Sequence, residues 1–177
     1  GSPTKTSMIM TMITGSNSNN TSNSSTATNL ARYRRYSAYR DSGVEWLSEI
    51  PQHWETKRLK YALPLRGGKL ENKPVDAIYL GLEHIESETG RLLLDTQPEE
   101  VDSVVSTFEA GDVLFGKLRP YLAKVARPDF AGVCTSEILP LRPTRQITQD
   151  YGYYALLNKP LISALNSLTY GTRMPCV

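Results

Sequence analysis

Lys117, Arg119 and Tyr121 stand at alternate positions at the end of Gly111-Asp-Val-Leu-Phe-Gly-Lys-Leu-Arg-Pro120 and just past it. In an extended segment, residues two apart share a face, so two cations and an aromatic ring would line one rim. Such a rim suits a polyanion. A lysine ammonium is a point contact for phosphate, whereas the planar fork of arginine also matches the edge of a guanine. Arg66, Lys69, Lys124 and Arg173 extend the set, with Tyr170 close to the last, and several lie in glycine-containing stretches. The expected DNA contacts are therefore Lys69, Lys117, Arg119, Tyr121, Lys124, Tyr170 and Arg173, lysines mainly on phosphates and arginines on guanine edges. The competing use of the same residues is a charged, solvated strand face.

Other constellations offer less. Cys134 could act as a nucleophile with His84 as base and Glu137 as orienter, but it sits between Val133 and Thr135 in a strand pattern. There a small thiol is expected to pack as a hydrophobe. Glu83, Glu86 and Glu88 could serve as acids, bases or magnesium ligands, yet no second set of groups is positioned against them. His53, His84, Cys134 and Cys176 are isolated, without the paired spacing of a zinc site. No Gly-x-Gly-x-x-Gly follows a strand and no helix carries a histidine pair. Arg66-Gly67-Gly68-Lys69 does not match a phosphate loop and is expected to be a hairpin turn. The residues point to binding, with no catalytic group, metal or cofactor held by this chain.

The elements that must position the rim follow from punctuation and period. Val113-Leu-Phe115 reads as a buried strand after the Gly111-Asp112 turn. Gly116 lets the backbone change course, and Pro120 should hold Leu118 and Arg119 extended. From about Trp54 to Pro143 the chain alternates short apolar runs with Gly and Pro. Strands are expected near Trp54–Arg58, Ala77–Leu82, Leu122–Ala126 and Val133–Leu141, with Val101–Phe108 a polar, β-branched stretch leading to the Gly111 turn, the whole forming a curved, partly open sheet or half-barrel. A short helical turn is expected from Val44 to Leu47. The tail changes period: Thr148 is placed to cap a helix bearing Tyr151, Tyr154, Ala155 and Leu157, and Pro160 opens a second with Leu161, Ile162, Leu165 and Leu168. The class is α+β, with C-terminal helices.

Residues 1–34 are set apart. Gly1-Ser2 resembles a tag-cleavage scar and Met10-Thr-Met-Ile-Thr14 the opening of a vector-borne β-galactosidase fragment. Gly15 to Asn29 is almost wholly Ser, Asn and Thr, too poor in apolar side chains to offset ordering. A disordered, vector-derived leader is expected over 1–34 and a folded domain over 35–177. Arg32, Arg34, Arg35 and Arg40 interleaved with Tyr33, Tyr36 and Tyr39 form an arm that could touch phosphates or simply lie on the surface.

Bulk properties set the bounds. The 177 residues are 40% hydrophobic and 21% charged, with a net charge of +2. That permits nucleic acid without demanding it, so the signal rests on how charges are placed. Two distant cysteines fit a reducing, cytoplasmic setting, and no apolar run reaches the roughly 18 residues that span a bilayer.

Several stretches together carry a resemblance. Tyr39-Arg-Asp-Ser-Gly-Val-Glu-Trp-Leu47, Ile50-Pro-Gln-His-Trp54 and Lys57-Arg-Leu-Lys60 resemble the opening of specificity subunits of type I restriction–modification enzymes. Tyr79-Leu-Gly-Leu-Glu-His-Ile85, Gly111 to Tyr121 and Cys134-Thr-Ser-Glu137 continue the match. Tyr153-Tyr154, Asn158-Lys-Pro160 and Asn166-Ser-Leu-Thr-Tyr-Gly-Thr-Arg-Met-Pro175 complete it. The resemblance implies a non-catalytic target recognition domain, β-rich with appended helices, that reads one half of a split sequence in double-stranded DNA. It implies a methyltransferase (modification) subunit and a restriction subunit as partners. S-adenosylmethionine and the flipped adenine would belong to the methyltransferase. Family members run on into a helical spacer and a second recognition domain, whereas this chain stops at Val177, and Cys176 stands where a basic residue is expected. The other function considered is a truncated interaction module that pairs with specificity or methyltransferase subunits and binds DNA weakly alone.

Overall fold

The computed structural model describes Thr11–Thr14 and residues 36–44, 47–95, 101 and 103–167. Its centre is the strand foreseen after the Gly111 turn. β1 (Thr11–Thr14), β2 (Tyr39–Asp41), β3 (Glu49–Pro51) and β4 (Glu55–Arg58) lead to the short helix α1 (Leu59–Ala62). β5 (Lys69–Leu70), β6 (Tyr79–Leu80), β7 (Val105–Phe108), β8 (Val113–Gly116), β9 (Val125–Ala126), β10 (Gly132–Thr135) and β11 (Ile138–Leu141) follow. The helices α2 (Gln149–Leu156) and α3 (Lys159–Ser167) come last. The class is α+β, as expected, without a closed barrel among the described residues.

Two sheets do the main work. One has the order β5-β7-β10-β6 and the other β11-β8-β9, while β1 pairs with β4 and β2 with β3. Every side chain of β8 is buried, and the two-residue period explains how. Val113 and Phe115 join a core with Ala62, Leu63, Val125, Leu141 and the helical Tyr153, Leu156, Leu161, Ile162 and Leu165. Leu114 points the other way, into a second core with Leu80, Ile85, Phe108, Ala126, Cys134 and Ile138. The three-stranded sheet is thus the middle layer, with the four-stranded sheet on one face and the helices on the other.

Several boundaries differ from those read in the sequence. The strand expected over Ala77–Leu82 shortens to β6, because the His84 amide donates to the Gly81 carbonyl at 3.1 Å and closes a 3-10 turn over Leu82–His84. The run Val133–Leu141 breaks at Ser136-Glu137 into β10 and β11. Pro140 lies inside β11, opposite Leu114. Its missing N–H is tolerated because β11 is an edge strand.

Arg66–Lys69 is not a hairpin turn. The Arg66 amide donates to the Pro140 carbonyl at 2.8 Å and the Thr107 amide to the Gly68 carbonyl at 3.0 Å, so the segment passes extended from one sheet edge to the other.

The tail is helical as expected, and α3 buries Leu161, Ile162 and Leu165, but α2 buries Gly152, Tyr153 and Leu156 while the expected Tyr151 and Tyr154 are exposed. The Thr148 hydroxyl accepts from the Tyr151 amide at 3.2 Å and caps α2. At the other end, the Leu47 amide donates to the Val44 carbonyl at 2.9 Å, while Glu45 and Trp46 of the turn expected there lie outside the described residues. Within the expected leader, Thr11–Thr14 pairs antiparallel with β4, Thr11 opposite Arg58. Among the described residues no helix is long and apolar enough to cross a membrane.

Candidate nucleic-acid interface

Strand register decides which cations meet. Leu70 lies opposite Val105, and Val105 opposite Thr135, so the end of β5 and the start of β7 reach the Ser136-Glu137 turn. Gly116 lies opposite Ile138, just past that turn, and the Lys117 amide donates to the Glu137 carbonyl at 2.9 Å. On the other side of β8, the Gly116 amide donates to the Lys124 carbonyl at 2.9 Å. β6 runs parallel to β10 and delivers the Leu82–His84 turn to the same end. Lys117, Arg119, Tyr121 and Lys124 therefore share one end of the two sheets, with Lys69 on the edge strand close by.

Their side chains are not equivalent. Lys117 is half-buried, with its ammonium 3.9 Å from Glu137. Lys124 is turned inward, and its Nζ donates to the carbonyls of Leu82 at 2.7 Å and Ile85 at 2.6 Å. Burial lowers its pKa, since desolvation disfavours the charged form. This lysine ties the 3-10 turn to β9. Lys69 is exposed on β5. Tyr170 and Arg173 lie outside the described residues.

Arg119 and Tyr121 do not share an extended face. Arg119 adopts φ 49, ψ 61, and Pro120–Leu122 forms a 3-10 turn that ends on Ala123 at φ 45, ψ 47. The left-handed region costs a residue with a Cβ about 1–3 kcal/mol, and a residue before proline favours extended shapes. The alternation read in the sequence fails because the chain leaves the sheet at Gly116. What replaces it is a compact turn with Arg119 exposed at its head and Tyr121 49% exposed at its middle.

Arg66 leaves the set. Its guanidinium grips buried Asp112 through Nε at 2.5 Å and Nη2 at 3.1 Å, and Glu109 through Nη1 at 3.2 Å. These partners sit at the opposite end of β8, and the hydrogen bond to Asp112 raises the Arg66 pKa.

The rim is also less purely cationic than its sequence implied, since Glu83 is exposed on the Leu82–His84 turn and Glu137 faces Lys117. His84 Nδ1 accepts from the Gly81 amide at 2.8 Å, so its 3.7 Å approach to Glu83 is not an ion pair in that tautomer.

One feature escaped the sequence analysis. Tyr121 lines a groove of about 430 Å³ with Glu88, Leu157, Lys159, Ile162 and Ser163. Lys159, Ile162, Ser163 and Asn166 follow helical spacing along α3, a signal present in the sequence but indistinguishable there from an ordinary solvated face.

The groups weighed for nucleophilic chemistry are each engaged elsewhere. Cys134 is fully buried, and desolvation pushes its thiol up to about 12. His84 closes its own turn and Glu137 faces Lys117. Among the described residues no group of three or more His, Cys, Asp or Glu could hold a metal.

No family model matches the chain. A solved chain from a study of complex assembly and conformational transition of the type I R-M system aligns over 64% of this chain and 35% of its own, at 20% identity and a TM-score of 0.47. The type I restriction enzyme EcoDI specificity subunit of Escherichia coli is 34% identical over 100 residues, which make up 54% of this chain. The match spans 22% of that relative's length. Over those 100 residues the chain is a relative of a type I restriction enzyme specificity subunit.

Proposed function

We propose that residues 35–177 form a target recognition domain that reads one half of a bipartite duplex DNA sequence and carries out no reaction itself. The observation that carries this reading is the 34% identity to a specificity subunit. The grouping of Lys117, Arg119, Tyr121 and Lys124 at one end of the sheets supports it. In this role the exposed Lys69 and Arg119 meet the DNA directly, while Lys117 remains near a partner carboxylate and Lys124 shapes the rim from behind. The partners are a methyltransferase subunit, which would hold S-adenosylmethionine and the flipped adenine, and a restriction subunit, all in the cytoplasm.

A second reading has its own support. Tyr36 packs edge-on against Tyr39 and Trp54 and lies 5.2 Å from His53, and both tyrosines stay substantially exposed. An exposed aromatic cluster of this kind suits a protein partner, as an interaction module would need.

Titration of duplex binding against salt separates the two. A half-site reader loses about 0.9 log unit of affinity per log unit of salt for each phosphate it neutralises. Binding without that slope, together with a mass increase on mixing with the methyltransferase subunit, would favour the interaction module.

A further inference from the structure

We infer that Arg119 is the guanine-reading residue of this interface and that the strained turn behind it serves to aim its fork. This rests on the duplex-recognition reading and goes further by assigning one side chain to one kind of base.

The first support is which guanidinium groups are free. Arg40 donates to the Trp54 carbonyl, Arg66 grips Asp112, Arg91 pairs with Glu86, Arg127 with Asp150 and Arg142 with Glu109. Among the described residues, Arg58, Arg119 and Arg145 lack such a partner. Arg58 ends β4, opposite Thr11, and Arg145 adjoins Gln146, which accepts from Lys57 of the same strand. Those two belong to the β4 side of the molecule. Arg119 is the open fork at the rim.

The second support is the backbone. Arg119 and Ala123, both left-handed and neither a glycine, bracket Pro120–Leu122. The Leu122 amide donates to the Arg119 carbonyl and the Ala123 amide to the Pro120 carbonyl, each at 2.9 Å. Pro120 and Ala123 are buried, and Tyr121 and Ala123 share the groove with Leu157 and Ile162, so the turn is seated on the helical layer. An exposed turn without a task would be relieved by glycine at either end. Strain of this kind persists where the surroundings over-determine it, and it is typical of sites that need pre-organisation.

A flexible lysine already meets a phosphate, although an arginine fork can pair with one as well. The two parallel hydrogen bonds to guanine O6 and N7 gain most from a fixed aim. The exposed carboxylate of Glu83 at the same end also makes a close phosphate less welcome there.

The test uses the full chain. A preferred duplex is selected from a library with a randomised segment, and affinities are measured for it and for its single-pair variants. Arg119→Gly should keep the fold, since glycine accepts the left-handed conformation, and thermal unfolding checks this. The expected result is a loss of about 5- to 150-fold on the preferred duplex, discrimination at one G·C pair abolished, and little change on duplexes already lacking that guanine. Arg119→Lys should keep the salt slope and lose most of the discrimination.

An equal loss on every duplex, with a salt slope lower by about 0.9, would make Arg119 a phosphate contact and overturn the inference while leaving the recognition reading intact. Unchanged discrimination in Arg119→Gly would overturn it too. If the wild type shows no salt-dependent duplex binding, the recognition reading falls first and takes this assignment with it.

Discussion

Cys134 shows how position sets the chemistry of a side chain. On β10, between the two sheets, its thiol has no water to stabilise a thiolate, and the pKa rises to about 12. The folded state therefore keeps the proton at pH values where the unfolded chain, with an ordinary thiol, has lost it. Unfolding then releases a proton, so this group lowers stability as pH climbs from the ordinary thiol value toward 12 and contributes nothing below. Alkylation of Cys134 by iodoacetamide near neutral pH should be slow in the native protein and rise to the rate of a free thiol only on unfolding. Fast native alkylation would restore the cysteine to the list of reactive groups. Lys124 makes a related point, because a residue read as a phosphate contact is held by two carbonyls of the fold.

At the scale of elements, the Thr89-Gly90 turn has a defined task. Gly90 sits at φ 63, and a Cβ there would lie 2.0 Å from the Val125 carbonyl and 2.7 Å from the Tyr153 hydroxyl. That hydroxyl donates to the Thr89 carbonyl at 2.6 Å, joining α2 to the turn. Gly90→Ala combines backbone strain with a clash against main chain, so it should destabilise by about 2–4 kcal/mol in a denaturant titration. A change below about 0.5 kcal/mol would mean that the turn moves freely away from β9. The closeness of Val125 and Tyr153 to this turn was not legible in the sequence, since both are distant along the chain.

For the whole molecule, the middle layer is the part that everything else leans on. Leu114 is fully buried between the sheets, and Leu114→Ala leaves a cavity there that neither sheet can close alone. A loss of about 2–5 kcal/mol is expected from equilibrium unfolding. The helical side should lose stability with it, because Val113 and Phe115 of the same strand hold α2 and α3. Separate transitions for the helices and the sheets would show that the layers do not unfold as one unit.

Local information was enough for the Gly111 turn, the buried run Val113–Phe115, the Thr148 cap and the apolar side of α3, because each depends on residues within a few positions. It did not show that α2 buries Tyr153 and Leu156 and leaves Tyr151 and Tyr154 exposed, which packing decides. It was also enough for the family resemblance, which rests on stretches of identity rather than on geometry. Only the tertiary structure decided how the cations are used. Arg66 pairs with Asp112 across 46 positions and Lys124 binds carbonyls about 40 positions away, distances over which composition and period carry no signal. Arg119 departs from the alternating face because the sheet ends at Gly116 and the following turn packs on α3. Charge type was written in the chain, but whether a charge faces DNA or its own fold depends on contacts made at long range.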